Sequence, residues 1–103
     1  MAKYHAIRTT VDGITFASKK EAARYQELQL LYKAGIINFL CLQVRYSLDV
    51  KDVHICNYFA DFVYYDYHKK CNVVEDVKGV KTPVYRLKKK LMKAIHGIDI
   101  YET

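Results

Sequence analysis

Three acidic side chains and a lysine stand at spacings that suit phosphate or metal chemistry: Asp61 in "YFADFVYY", Asp76 and Lys78 in "VVEDVKG", and Glu21 in "SKKEAARY". Alternate residues of an extended segment share a face, so Asp76 acts with Lys78 while Glu75 and Val77 point the other way. If residues 67–70 form a turn closed by Asp66 and Cys71, the hairpin pairs Tyr65 with Asn72, Val63 with Val74 and Asp61 with Asp76. Directly opposed residues stand about 4.5–5.5 Å apart at Cβ, so two carboxylates would face each other. Such a pair needs a shared proton, a cation such as Lys78, or a bound divalent metal. The alternative is a solvated hairpin face with ordinary surface charges. The apolar and aromatic neighbours of Asp61 weigh against it, because an ionised group in a covered strand is costly unless something compensates it.

Glu21 has two readings. "SKKE" from Ser18 to Glu21 matches a capping box, in which the glutamate bonds back to the N-cap. At 3.6 residues per turn Glu21 also shares a stripe with Ala17, Tyr25, Leu28 and Tyr32, which points it at the sheet and at a shared inward site. A second helical stretch divides more cleanly. Val84, Leu87, Leu91 and Ile95 follow a core-facing period, and Arg86, Lys89, Lys90 and Lys93 cluster opposite, with Lys81 just ahead of them. Such a face suits a phosphate backbone, or is simply a solvated lysine surface.

The elements that must position these groups can be read in order. Asp12-Gly13 between β-branched residues predicts a short opening hairpin. A helix runs from Ser18 to about Ala34, stopped by Gly35. "FLCLQVRYSL" alternates as a strand, with Leu40, Leu42, Val44, Tyr46 and Leu48 on one face and Gln43 on the other. Residues 49–53 read as a polar connection, "HICNYFADFVYYD" as a long strand, "YHKK" as a turn and "CNVVEDVKG" as the returning strand. Thr82-Pro83 opens a helix that Gly97 closes, and "IDIYE" makes a last strand. The prediction is an α/β fold with a mixed central sheet flanked by helices.

The 103 residues suit one domain, 1–103, with no visible linker. The N-terminus lacks the apolar block of a signal peptide and no run is long enough for a membrane span, so a soluble, cytoplasmic protein is expected. Net charge +6 favours an anionic partner, nucleic acid above all. Cys41, Cys56 and Cys71 are odd in number and form no C-x-x-C pair, which predicts reduced, mostly buried thiols. His5, His54, His68 and His96 form no zinc-type pair. The ten tyrosines are read mainly as core residues.

An aspartate on one strand, an acid-x-Lys on the next and a glutamate on a preceding helix resemble the PD-(D/E)xK nuclease superfamily. Here these are Asp61, Asp76-Val77-Lys78 and Glu21, and the element order is similar to that superfamily's restriction-endonuclease-like αβββαβ core, behind the short N-terminal hairpin. "GITFASKKEAARYQELQLLYKAGII", "LCLQVRY", "YFADFVY" and "VVEDVKGVKT" more closely resemble small phage and prophage proteins related to Holliday-junction resolvases. Two departures are visible: Ala60 replaces the proline of the motif, and Glu75 stands beside Asp76 as a second acid. The resemblance implies a Mg²⁺-dependent endodeoxyribonuclease, with Mn²⁺ able to substitute. Asp61, Asp76, the Val77 carbonyl and Glu21 would hold the metal, and Lys78 would orient or deprotonate water. Gln43 is an accessory or else a plain surface amide. It further implies branched DNA as partner, gripped through Lys81, Arg86, Lys89, Lys90 and Lys93, and a homodimer in a bacterial cytoplasm. The alternatives are a non-catalytic DNA-binding or inhibitor protein, and a nicking or mismatch endonuclease on the same fold.

Overall fold

The computed structural model describes residues 7–103, so His5 lies outside it. Strands β1 (Thr9–Val11) and β2 (Ile14–Phe16) form the opening hairpin, with Asp12 and Gly13 both at positive φ. Helix α1 (Lys19–Lys33) follows, then β3 (Ile37–Val50), β4 (Val53–Asp66), β5 (Cys71–Asp76), α2 (Pro83–His96) and β6 (Tyr101–Glu102). Behind the hairpin the order is αβββαβ, and the main sheet runs β3-β4-β5-β6. Its first three strands are antiparallel neighbours and β6 joins β5 in parallel, so the sheet is mixed.

Both helix starts are fixed by side chains. Ser18 Oγ accepts the Glu21 N–H at 3.1 Å, and Thr82 Oγ1 accepts the Tyr85 N–H at 3.1 Å with Pro83 in the first turn. Each satisfies an N–H that the first helical turn leaves unbonded. Gly97, at φ 68°, ends α2 in the left-handed conformation that suits glycine.

One helix packs on each face of the sheet. Ala22, Tyr25 and Leu28 of α1 bury Phe16, Ile37, Phe62, Tyr64, Val73 and Val77, while Tyr85 and Met92 of α2 bury Leu48, Tyr58, Ala60, Val74 and Ile100. Because Val73 and Val77 belong to the first cluster and Val74 to the second, β5 alternates as expected, which sends Asp76 toward α2 and Glu75 toward α1.

The β4–β5 ladder runs from Asp66 with Cys71 to Phe62 with Glu75, the register that the turn length predicts. Asp66 sets that turn: its Oδ1 accepts the His68 and Lys69 N–H groups, and its carbonyl accepts from Lys70 at 2.8 Å.

Several expectations need correction. The β3–β4 connection is a two-residue turn at Lys51-Asp52, both at positive φ as primed hairpin turns require, not a five-residue link. The regular strand β5 ends at Asp76, and the final strand is only Tyr101–Glu102. On α2 it is Tyr85 and Met92, two turns apart, that are buried, whereas Val84 and Leu87 are 63% and 57% exposed. The Tyr85 ring takes the sheet-facing place because its hydroxyl finds a partner in Glu102 at 2.7 Å. Cys41 and Cys71 are exposed and Cys56 half-buried, because the first two stand beside a bulge in β3 and at the start of β5.

The last correction shapes the site. Leu40 and Leu42 pack with the α1 cluster, but Tyr46 and Leu48 pack with the α2 cluster. Strict alternation would put all four on one face. The break falls at Gln43, held at φ 50°, a left-handed backbone that costs an L-residue roughly 1–2 kcal/mol. Across from it the partner strand switches too, with Tyr58 and Ala60 in one cluster and Phe62 and Tyr64 in the other.

Candidate active site

The break brings Asp61 and Tyr58, which plain alternation would separate, to the α2 side where Asp76 lies. Together with Glu21, Gln43 and Lys78 they line one pocket of about 360 Å³ at the open end of the β4–β5 ladder. All five residues expected from sequence to do chemistry therefore meet. Ala17, Phe59, Val80, Thr82, Val84, Tyr85 and Lys88 complete its walls.

The backbone beneath the pocket is fixed on both sides. Where the β4–β5 ladder ends, Asp61 Oδ2 accepts the Val77 N–H at 2.8 Å. On the other side Thr103 N–H donates to the Asp76 carbonyl at 3.0 Å and its carbonyl accepts the Lys78 N–H at 3.1 Å. Lys20 Nζ donates to the Lys78 carbonyl at 2.8 Å. Gln43 Nε2 donates to Asp61 Oδ1 at 3.1 Å, so the glutamine orients a site carboxylate rather than decorating the surface.

Asp76 is 3% exposed. Its Oδ2 accepts the Tyr58 hydroxyl at 2.5 Å, and its Oδ1 lies 3.0 Å from Lys78 Nζ. Burial first, and the charge of Asp61 second, push the Asp76 carboxyl up to about 6 against the pull of Tyr58 and Lys78. Burial and the neighbouring Asp76 also drive the Tyr58 phenol well above its ordinary range. Lys78 Nζ sits 3.8 Å from the centroid of the Tyr85 ring. Glu21, 4% exposed, belongs to the same pocket while its N–H completes the Ser18 cap.

Glu75 resolves the ambiguity of two adjacent acids. It is fully buried on the α1 side, where Arg24 grips it through Nε at 2.7 Å and Nη2 at 3.0 Å. The Tyr64 hydroxyl at 2.7 Å and Thr103 Oγ1 at 3.2 Å complete its partners. This is a structural ion pair, and it raises the Arg24 guanidinium further above its ordinary range. Sequence reasoning missed Arg24, Tyr58, Tyr85 and Lys88. Arg24 was legible in principle, three residues after Glu21 on the same helix.

The expected basic group is also assembled. Lys81, Arg86, Lys89, Lys90 and Lys93 line a second pocket of about 570 Å³ with Asp99 and Glu102, five cations against two carboxylates. Three of the cations are already paired: Lys81 and Lys89 reach Glu102 Oε1 at 3.1 and 3.2 Å, and Lys93 reaches Asp99 at 2.9 Å. The Tyr85 hydrogen bond and these lysines hold the Glu102 carboxyl down at about 2.

The residues fit a hard divalent cation by donor type, since Glu21, Asp61 and Asp76 supply carboxylate oxygens to one pocket. Among the described residues, though, no three acidic, histidine or cysteine side chains stand at ready-made metal spacing. Tyr58, Lys78, Gln43 and the Val77 N–H hold the oxygens of Asp61 and Asp76 instead. No helix among the described residues is long and apolar enough to cross a membrane.

No curated protein and no solved structure matches the chain. One family model does, described as "Protein of unknown function (DUF1064)", and it matches residues 1–100. Matched over nearly its whole length, the chain belongs to the DUF1064 family.

Proposed function

We propose that the protein is a metal-dependent endodeoxyribonuclease of the PD-(D/E)xK kind, acting on branched DNA in the manner of a Holliday-junction resolvase. The observation that carries this reading is the convergence of Glu21, Asp61, Asp76 and Lys78, from three segments of an αβββαβ chain, on one pocket. Asp61, Asp76, the Val77 carbonyl and Glu21 would hold Mg²⁺ or Mn²⁺. When bound, the ion supplies polarisation of the phosphate and assistance to the departing oxygen.

The remaining chemistry belongs to the chain. Lys78 orients the attacking water and offsets negative charge as the water oxygen bonds to phosphorus and the P–O ester bond breaks. Gln43 orients Asp61, and Tyr58 orients Asp76. Phe59, Val80 and Val84, all exposed, give the pocket an apolar rim. Symmetric cutting of a junction calls for two copies of the chain, so the active form is a homodimer working in a bacterial cytoplasm.

A second reading, a DNA-binding protein without turnover, is favoured by the absence of a ready-made three-ligand cluster among the described residues. Incubation with a four-way junction, linear duplex and single strand, each with Mg²⁺, Mn²⁺ or EDTA, separates the two. The nuclease cuts the junction only with metal, and the inert binder cuts nothing. Preferential cutting of mismatched or nicked duplex would instead make it a nicking or mismatch enzyme.

Metal binding has its own signature. Addition of Mg²⁺ is expected to raise the melting temperature, with about 2.7 kcal/mol of added stability at a hundred times Kd, and Asp61→Asn should remove the gain. Equal shifts in both proteins would refute the metal site.

Grip is separable from chemistry. Replacing Arg86, Lys89, Lys90 and Lys93 by alanine should weaken junction binding in metal-free buffer, each lost duplex phosphate contact lowering the salt slope of log K by about 0.9. Arg86 and Lys90 should account for more of the loss than Lys89 and Lys93, which already neutralise Glu102 and Asp99. An unchanged slope would leave this face a solubilising surface.

A further inference from the structure

Tyr85 lines both pockets. The residue is fixed through its backbone and through its hydroxyl. The N–H of its backbone donates to the Thr82 cap at 3.1 Å, and its hydroxyl donates to Glu102 Oε2 at 2.7 Å. Glu102 is held in turn by Lys81 and Lys89 through its other oxygen. The ring is 6% exposed, and Lys78 Nζ sits 3.8 Å from its centroid.

A lysine ammonium rides on a flexible four-carbon stem, so its place is set by what it touches. Lys78 Nζ touches Asp76 Oδ1 and the Tyr85 ring. In the proposed reaction Asp76 also serves the metal, which leaves the ring as the contact dedicated to the lysine. A desolvated aromatic face attracts an ammonium without competing for water or phosphate oxygens as a second carboxylate would.

We infer that Tyr85 is the positioning residue for Lys78: its ring face, anchored through Glu102, holds the ammonium at the reacting phosphate. This rests on the nuclease reading for its function, but the contact itself is testable apart from cleavage.

The test compares Tyr85→Leu, which removes the ring, with Tyr85→Phe, which removes only the hydroxyl. With Mg²⁺ and a four-way junction, Tyr85→Leu should lower kcat by roughly 10- to 30-fold with KM nearly unchanged, the factor that a desolvated cation–π contact is worth. Tyr85→Phe should recover most of that loss, staying within about threefold of wild type. In metal-free buffer, NMR should place the Lys78 ε-methylene protons upfield of an ordinary lysine in wild type and Tyr85→Phe, and at the ordinary position in Tyr85→Leu. Tyr85→Met, which fills the space without a ring, replaces Tyr85→Leu if the latter does not fold. Full-rate cleavage by the ring-less variant, a loss shared equally by Tyr85→Phe, or an unshifted Lys78 in wild type would overturn the inference. A wild-type protein that cuts none of the substrates would instead sink the nuclease reading itself, with the NMR shift still reporting whether the contact exists.

Discussion

Asp76→Asn and Lys78→Ala are each expected to lower cleavage by about 10²- to 10³-fold or more, with junction binding in metal-free buffer little changed. The two variants should part company in stability. Asp76 is buried beside Asp61, and its carboxyl is pushed from the ordinary 3.8 to about 6, so its ionised form costs the fold stability. For a carboxyl raised in this way, that cost sets in as pH climbs from the ordinary value through 6. At neutral pH without metal, Asp76→Asn should therefore melt no lower than wild type, and closer to it at pH 4, where wild-type Asp76 is largely protonated. Lys78→Ala leaves two carboxylates without their nearest ammonium and should melt lower. An inactive protein stabilised by losing a site charge is the signature of a residue kept for chemistry at the expense of stability. If Asp76→Asn cut DNA at the wild-type rate, the assignment of the site would be wrong.

Glu75→Gln is expected to do the reverse: a large loss of stability with cleavage per folded molecule retained. Glu75 is fully buried and meets Arg24 through two hydrogen bonds, with Tyr64 and Thr103 on the same oxygens. Removing one partner of a buried ion pair strands the other and costs about 3–5 kcal/mol. Here Arg24 retains an exposed partner in Glu27 at 3.6 Å and is itself 18% exposed, which places the expected loss at the low end, about 3 kcal/mol. Denaturant titration reads the stability, and cleavage normalised to the folded fraction reads the chemistry. Loss of cleavage without loss of stability would move the essential acid from Asp76 to Glu75 and reverse the face assignment of β5.

The contrast between these neighbouring acids was legible in the sequence because it depends on alternation and on one turn. The span between Asp66 and Cys71 sets the register, and the period of two does the rest. The helix caps at Ser18 and Thr82 were equally local and equally readable. What sequence could not supply was the departure from alternation at Gln43. A left-handed backbone at glutamine carries no compositional signal of the kind that glycine or asparagine gives. Without it Tyr58 falls on the far side from Asp61, so the phenol that holds Asp76 stayed hidden. The α2 face was misjudged for a related reason. Val84 and Leu87 fit a helical period as well as Tyr85 and Met92 do, and hydropathy ranks the aliphatic set first. The choice was decided by Glu102, seventeen residues beyond Tyr85, whose carboxylate satisfies the phenol only when the ring faces inward. Arg24 carries no such signal either, because it stands at the edge of the aliphatic and aromatic stripe of α1 and its partner Glu75 lies 51 residues away in sequence.

The central claim is that Asp61, Asp76 and Lys78 form a metal-dependent phosphodiesterase, and one experiment addresses it directly. Wild-type protein and Asp76→Asn are each mixed with a labelled four-way junction in EDTA, bound complex is verified, and excess Mg²⁺ is then added to the same tube. The account predicts no cutting by either protein before addition, strand cleavage by wild type afterwards, and an intact junction with Asp76→Asn throughout. Cutting in EDTA, cutting by both proteins after Mg²⁺, or an uncut junction with bound wild type would contradict it.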